Sequence, residues 1–296
     1  MPRLLALSGD LVEYKLEIVF VDDGSTDGSR EILEELSSKN RSCVRVVLLT
    51  RNFGQSAAIQ AGLRFATGHC IGIISCDLQE PCEQFVTMVK MWEKGHKFVI
   101  GERVERNEGR MHRTVSAIYW QLIRRHAFKD FPPMGYDFCV FDRRIALELN
   151  EINEKNTSVF VLIYWLGYRP VSVPIVRQVR TLGTSQWTFF RKLKFTLDTL
   201  IGFTYLPARM ISLAGFGTAT VAILYLVLIM VRWAVIRAAP PGWMTVVGLV
   251  IVFGALNLFA VGILSEYLLR ILDEARKRPP FIVERIINPS SVSGDS

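Results

Sequence analysis

The sequence predicts an α/β fold: a mostly parallel sheet with flanking helices, followed by an interfacial helix and two C-terminal transmembrane helices. Three observations carry that expectation. Residues 1 to about 180 alternate short apolar runs with amphipathic stretches, the pattern of βαβ units. Polar clusters follow three of those runs, two of them acidic. Two long uncharged apolar stretches lie near the C-terminus.

Strands are expected at Glu17–Val21, Val44–Leu49, Cys70–Ser75 and Lys97–Ile100, where β-branched and apolar residues gather. Helices are expected at Gly28–Leu36, Gln55–Ala66 and Cys82–Lys94. Ser25, Thr26 and Asp27 stand before the first helix as candidate caps, with Glu31 near its first turn. From Thr184 to Tyr205, Phe190, Leu193, Leu197, Leu200 and Ile201 recur at helical spacing beside Arg191, Lys192 and Lys194. Such a stretch suits either a membrane interface or a core-facing helix. Ile211–Val231 and Met244–Ser265 carry no charge and are long enough to cross a hydrocarbon core. Arg209, Arg232, Arg237 and Glu266 lie just outside them, and Trp233 and Trp243 sit in the connection. A buried helical hairpin is the soluble alternative. Basic residues gather before the first stretch and after the second, so the large domain and the tail are expected in the cytoplasm. The resulting division is 1–183 for the α/β domain, 184–209 for interfacial helices, 210–270 for the hairpin and 271–296 for a cytoplasmic tail.

Composition agrees with a membrane-associated chain: 50% of the 296 residues are apolar and 21% charged. Thirty-five basic residues against 28 acids leave a net charge of +7, which suits phosphate-rich partners such as nucleotides or anionic lipid. The excess gathers near the apolar stretches rather than on a groove-reading motif, so nucleic acid is not expected as a partner. Five scattered cysteines without a C-x-x-C pair point to a reducing compartment and away from a disulfide framework or structural zinc. The four histidines form no ligand cluster in the sequence. The first residues show no evident signal peptide.

In open α/β sheets, ligands bind beyond the carboxyl ends of the strands. Three clusters fall at such ends: VDDGSTD (Val21–Asp27), TRNFGQ (Thr50–Gln55) and SCDLQEP (Ser75–Pro81). Carboxylates there can accept hydrogen bonds from a ribose or base, or hold Mg²⁺ or Mn²⁺ that bridges phosphates. Taken singly, each has a plainer reading: DDGS or Asp77 as a helix cap, Arg51 as a solvated loop residue. The ordered set of three points to a nucleotide and its metal.

VDDGSTDGS, RNFGQSAAIQAG, CDLQEP and the later GYDFCVFDRR resemble family 2 glycosyltransferases of GT-A fold. The two apolar stretches, with VRTLGTSQW (Val179–Trp187) before them and SEYLLRILDEARKRPPFIV (Ser265–Val283) after, are similar to the polyprenyl-phosphate sugar synthases of that family, the bactoprenol glucosyltransferase and dolichol-phosphate mannose synthase types. The resemblance implies a membrane-anchored, inverting transfer of a hexose from a nucleotide-diphosphate sugar, UDP-glucose, to polyprenyl phosphate. By the same resemblance, Asp22 and Asp23 lie near the nucleoside and Arg51 and Asn52 beside the diphosphate. Asp77 is the last acid of the Asp-x-Asp metal motif, with Gln79 its neighbour near the Mg²⁺ or Mn²⁺. Arg103, Arg106 and Arg113 fall where phosphate-handling arginines are placed, and Asp137 faces the acceptor. Arg177, Arg180 and Ser185 match the segment that joins the domain to its anchor. Catalytic roles are thus implied for Asp77 and Asp137.

Two departures accompany the match. Ser75 replaces the first acid of Asp-x-Asp. The family opens with a strand, central in its sheet, and a Pro-x-(Tyr/Phe)-Asn-Glu turn, whereas Glu17 here begins what matches the second strand. Met1–Lys15 is too short to supply that unit, so the expectation is an N-terminally truncated domain. Two other readings stay open: a polysaccharide synthase of the same superfamily, whose Q-x-x-R-W motif is not found, and an inactive remnant that binds a membrane partner. Paired spans often associate, so a homo-oligomer is a further expectation.

Overall fold

The computed structural model describes residues 1–77, 79–103, 121, 124, 128, 131–132, 135–152, 154, 157–176, 206–236 and 242–288. The chain divides into two compact units, Met1–Thr196 with Pro279–Ser296, and Leu197–Arg278.

The first unit holds α1 (Pro2–Asp10), β1 (Ile18–Asp22), α2 (Ser29–Lys39), β2 (Val44–Leu49), α3 (Gln55–Phe65), β3 (Cys70–Ile73), α4 (Gln84–Glu93) and β4 (Phe98–Arg103). After them come β5 (Cys139–Asp142), α5 (Arg143–Glu151), α6 (Val159–Trp165) and β6 (Val171–Ile175). The second unit contributes α7 (Leu206–Ile236) and α8 (Trp243–Ala275), and the chain then returns to the first unit as β7 (Val283–Ile287). The four strands and three helices expected from the sequence all form, with ends shifted by at most three residues.

The strands make two sheets, ordered β1-β2-β7 and β3-β5-β4-β6. α2 carries the chain back over the sheet, so β1 and β2 run parallel, from Ile18 opposite Val44 to Asp22 opposite Leu48. That register sets the polar clusters after both strands side by side. β2 is buried along its whole length. Val44, Val46 and Leu48 face one side with Leu33 of α2; Val47 and Leu49 face the other with Ala57 and Ala61 of α3. Arg45 interrupts that apolar strand, and its buried charge is paired with Glu17 at 2.9 Å. In the second sheet, Phe85 and Met88 of α4 pack with Val99 and Val140.

The sheets are mixed rather than mostly parallel. β5 pairs antiparallel with both β3 and β4, and β7 pairs antiparallel with β2. Neither strand announces itself by pattern: β5 sits in an irregular stretch, and β7 follows the last apolar helix, where a tail was expected. β1 and β3 end the two sheets, and both line one cavity of about 1490 Å³. The residues before β1 form α1 rather than a strand; its Leu4 packs against the cores of both sheets.

α1 is tied to the domain by Arg3, whose Nε and Nη2 donate to the two carboxylate oxygens of Glu83 at 2.8 Å each. The Arg3 guanidinium holds the Glu83 carboxyl down to about 2, against an ordinary 4.5. This pair therefore stabilises the fold above pH 4.5 and is lost as pH falls toward 2. Both side chains are largely exposed, so the contribution stays below about 1 kcal/mol. Arg3→Ala should lower the thermal midpoint slightly near neutral pH, and the difference from the parent should vanish in strong acid.

In the second unit, Ala208–Arg232 and Thr245–Ala275 are long and apolar enough to cross a membrane, and neither is buried against protein. A soluble hairpin would hide such faces; these present Leu213, Phe216, Leu258 and Phe259 outward. The expected interfacial helix lies outside the described residues.

Candidate active site

The acids after β1 organise the loops around them. Asp22, with its side chain 2% exposed, accepts from the Ser25 amide at 3.1 Å and from Arg30 Nε at 2.9 Å. Asp23 reaches to the next cluster: its two oxygens accept from the amides of Phe53 at 2.7 Å and Gly54 at 2.8 Å. Gly54 is the N-cap of α3, so Asp23 fastens the Arg51–Asn52 loop, just before that helix, to the end of β1. Asp27 serves as a local cap, accepting from the amide and hydroxyl of Ser29; the hydroxyl bond holds its carboxyl below the usual range. Arg51 and Asn52 are exposed. The Arg51 guanidinium lies 4.1 Å from the Phe53 ring centroid and donates to the Asn52 carbonyl, which leaves most of its donors for an anion.

A second group forms beyond β3 and β4. Asp77 is half-buried, and its Oδ1 accepts from the Gln79 amide at 3.3 Å. Glu80, three residues on, has a fully buried side chain 3.9 Å from Arg103. Arg103 donates through Nη2 to Asp137 and is itself only 10% exposed. Two residues expected separately, one for phosphate and one for the acceptor, are thus one charge-assisted pair. Arg106, Arg113, Arg177, Arg180 and Ser185 lie outside the described residues. The cavity is lined by Ser75, Glu80 and Asp137 of the second group and by Val21 and Gln55, which flank the first; Asp22, Asp23, Arg51, Asn52, Asp77 and Gln79 do not line it.

Among the described residues, no three His, Cys, Asp or Glu side chains gather into a metal-holding group. Asp77, with Gln79 beside it, is one carboxylate on a loop at a strand's carboxyl end. Mg²⁺ and Mn²⁺ suit such a site, because they retain waters and take further oxygens from a substrate's phosphates.

Glu80, Arg30 and Gly24 are the site-shaping residues that motif reasoning passed over. Glu80 was visible as a second acid in SCDLQEP; the other two become legible only from their contacts.

Acids after β1 and β3, an exposed arginine loop after β2 and a part-buried Arg103–Asp137 pair lie at the strands' carboxyl ends of an α/β domain. Comparison with known proteins specifies which kind. The family model for Glycosyl transferase family 2 matches residues 4–149. The chain is 31% identical over 277 residues to the uncharacterised glycosyltransferase YkcC of Bacillus subtilis, covering 93% of this chain and 85% of that one. It is 28% identical over 295 residues to the undecaprenyl-phosphate 4-deoxy-4-formamido-L-arabinose transferase of Photorhabdus laumondii, covering 99% and 90%. Among solved structures, a mannosyltransferase of Pyrobaculum calidifontis in complex with GDP-Man and Mn²⁺ aligns with a TM-score of 0.39 at 20% identity, over 61% of this chain and 54% of that one. The chain belongs to glycosyltransferase family 2 and is a glycosyltransferase.

Proposed function

We propose that this protein is a membrane-anchored, inverting glycosyltransferase that moves a hexose from a nucleotide-diphosphate sugar, UDP-glucose, to polyprenyl phosphate on the cytoplasmic face of the inner membrane. The observation that carries the reading is the joining, in one chain, of an acid-bearing site with two unburied helices of membrane length. A lipid acceptor explains that combination, since its phosphate lies at headgroup height and its tail in the bilayer. The likeness to an undecaprenyl-phosphate sugar transferase over 99% of this chain supports the same acceptor class.

Asp77 and Gln79 would hold Mg²⁺ or Mn²⁺, which supplies Lewis-acid neutralisation of the leaving diphosphate. The remaining work belongs to the chain. Arg51, exposed beside Asp23, offers donors to the diphosphate. The acceptor is a phosphomonoester with a second pKa near ~6, so it is largely dianionic at neutral pH and needs no strong base. Asp137, held by Arg103, orients the acceptor or the sugar hydroxyls. Arg106, Arg113, Arg177, Arg180 and Ser185 are proposed to offset the repulsion between the two phosphates. One in-line displacement inverts the anomeric carbon.

The direct test is transfer of radiolabelled glucose from UDP-glucose to polyprenyl phosphate by the full chain in detergent with Mn²⁺, with GDP-mannose as a second donor. Acid-labile label in the lipid phase is expected. Label appearing only in free sugar would discard the lipid acceptor, and transfer from GDP-mannose alone would discard UDP-glucose.

A further inference from the structure

We infer that the C-terminal strand, reached only after the two apolar helices, positions the acidic loop of the donor site through a single guanidinium, that of Arg30. Arg30, on α2, spends all three of its nitrogens. Nε donates to Asp22 at 2.9 Å, Nη2 to the Leu49 carbonyl at 2.7 Å and Nη1 to Glu284 at 2.9 Å. It therefore joins the carboxyl ends of β1 and β2 to β7, and the flanking carboxylates of Asp22 and Glu284 raise its affinity for its proton further.

The strand is shaped for this contact. Along β7, Ile286 lies opposite Val47, Arg285 opposite Leu48 and Val283 opposite Leu49. Glu284 is thus the extra residue of a β-bulge. In an unbroken strand, neighbours point to opposite faces. Here consecutive residues both reach α2: Glu284 pairs with Arg30, and Arg285 pairs with Glu34 one helical turn on. A bulge is the means of re-aiming one side chain in this way, and bulges are over-represented beside active sites. Around the contact, Phe281 is buried against Val47, Leu49, Ala57 and Ala61. The Asn288 side-chain amide donates to the Ser37 and Val44 carbonyls and to the Ser37 hydroxyl.

The consequence runs one way through the contacts. Asp22 is buried, and its two oxygens accept from the Ser25 amide and from Arg30 Nε. It sets the shape of the loop that carries Asp23, and Asp23 in turn fastens the Arg51–Asn52 loop. Arg30 is a positioning residue; Glu284, 48% exposed, orients it from the far side.

The test uses the full chain in detergent and two readouts. Hydrogen exchange over residues 22–29 reports the loop without any ligand. Calorimetry with UDP and, separately, GDP in the presence of Mn²⁺ reports the donor side and rests on the reading proposed above. Glu284→Lys should speed exchange in that loop and weaken nucleotide binding about tenfold, through lost charge-assisted contacts. Glu284→Gln, which keeps an acceptor, should stay within about twofold of the parent. Glu34→Lys breaks the adjacent pair but not the clamp, and should also leave the loop within about twofold. Arg30→Lys, which keeps the charge and loses the fork, should match Glu284→Lys and decides the matter if that variant does not fold. Unchanged exchange in both Glu284→Lys and Arg30→Lys would overturn the inference. So would equal effects of Glu284→Lys and Glu34→Lys, which would mean general docking of the strand. A parent that binds neither nucleotide would discard the donor reading, while exchange would still decide the clamp.

Discussion

On the proposed function, Asp77→Ala is expected to lower glycosyl transfer at least about a hundredfold, with the fold retained. The side chain is half-buried on the loop after β3 and contributes no core packing, so its loss costs little stability. What it removes is negative charge at the position proposed for the cation. With Ser75 in place of a second acid, the chain offers few alternatives there. Asp77→Asn separates charge from shape: it keeps the acceptor oxygen facing the Gln79 amide and loses the anion. It should fall nearly as far as alanine, and added Mn²⁺ should recover part of its rate. The measurements are the lipid-transfer assay across a Mn²⁺ titration and circular dichroism for the fold. Equal rates for parent and Asp77→Ala would remove Asp77 from the mechanism.

Gly24→Ala destabilises the protein by about 2–4 kcal/mol and abolishes tight nucleotide binding. Two causes add. Gly24 has φ of +74°, where a β-carbon is strained, and the added atom would stand 2.4 Å from the Arg51 carbonyl carbon and 2.6 Å from the Asn52 nitrogen. Backbone cannot swing aside as a flexible side chain can. The loop bearing Arg51 and Asn52 must retreat, and its bonds from Phe53 and Gly54 to Asp23 break with it. Gly28→Ala separates the causes. Its φ is +82°, but the nearest atom to an added β-carbon is a Glu31 oxygen at 3.9 Å. Only strain remains, about 1 kcal/mol, and nucleotide binding should persist. Thermal midpoints and UDP affinities of the two variants check both halves of the argument.

The strands and helices from Glu17 to Arg103 were legible because their signals are local, whereas α1 was not expected. Val44–Leu49 is a valine and leucine run broken only by Arg45, and Gln55–Phe65 carries helical periodicity. The polar clusters could be placed at strand ends for the same reason. Pairing was not legible in this way. β5 and β7 enter antiparallel and make the sheets mixed, and nothing in CVFD or VERII specifies a partner. Among the site residues, the sequence located Asp22 and Asp23 but not their contacts within the fold. Their adjacency hides that one is buried against Arg30 while the other accepts from the Phe53 and Gly54 amides. The pairing of Arg103 with Asp137 likewise joins residues 34 positions apart.

The sequence by itself determined the α/β class, the acidic strand ends, the membrane-length helices and the family, because each is written in residues close together along the chain. The tertiary structure alone decided which carboxylates are spent on the scaffold and which strand closes the first sheet. It also decided that a glutamate 254 positions from Arg30 shares its guanidinium. The physical reason is that hydrogen-bond partners and desolvation are set by what the fold brings near, and separation along the chain carries no record of that.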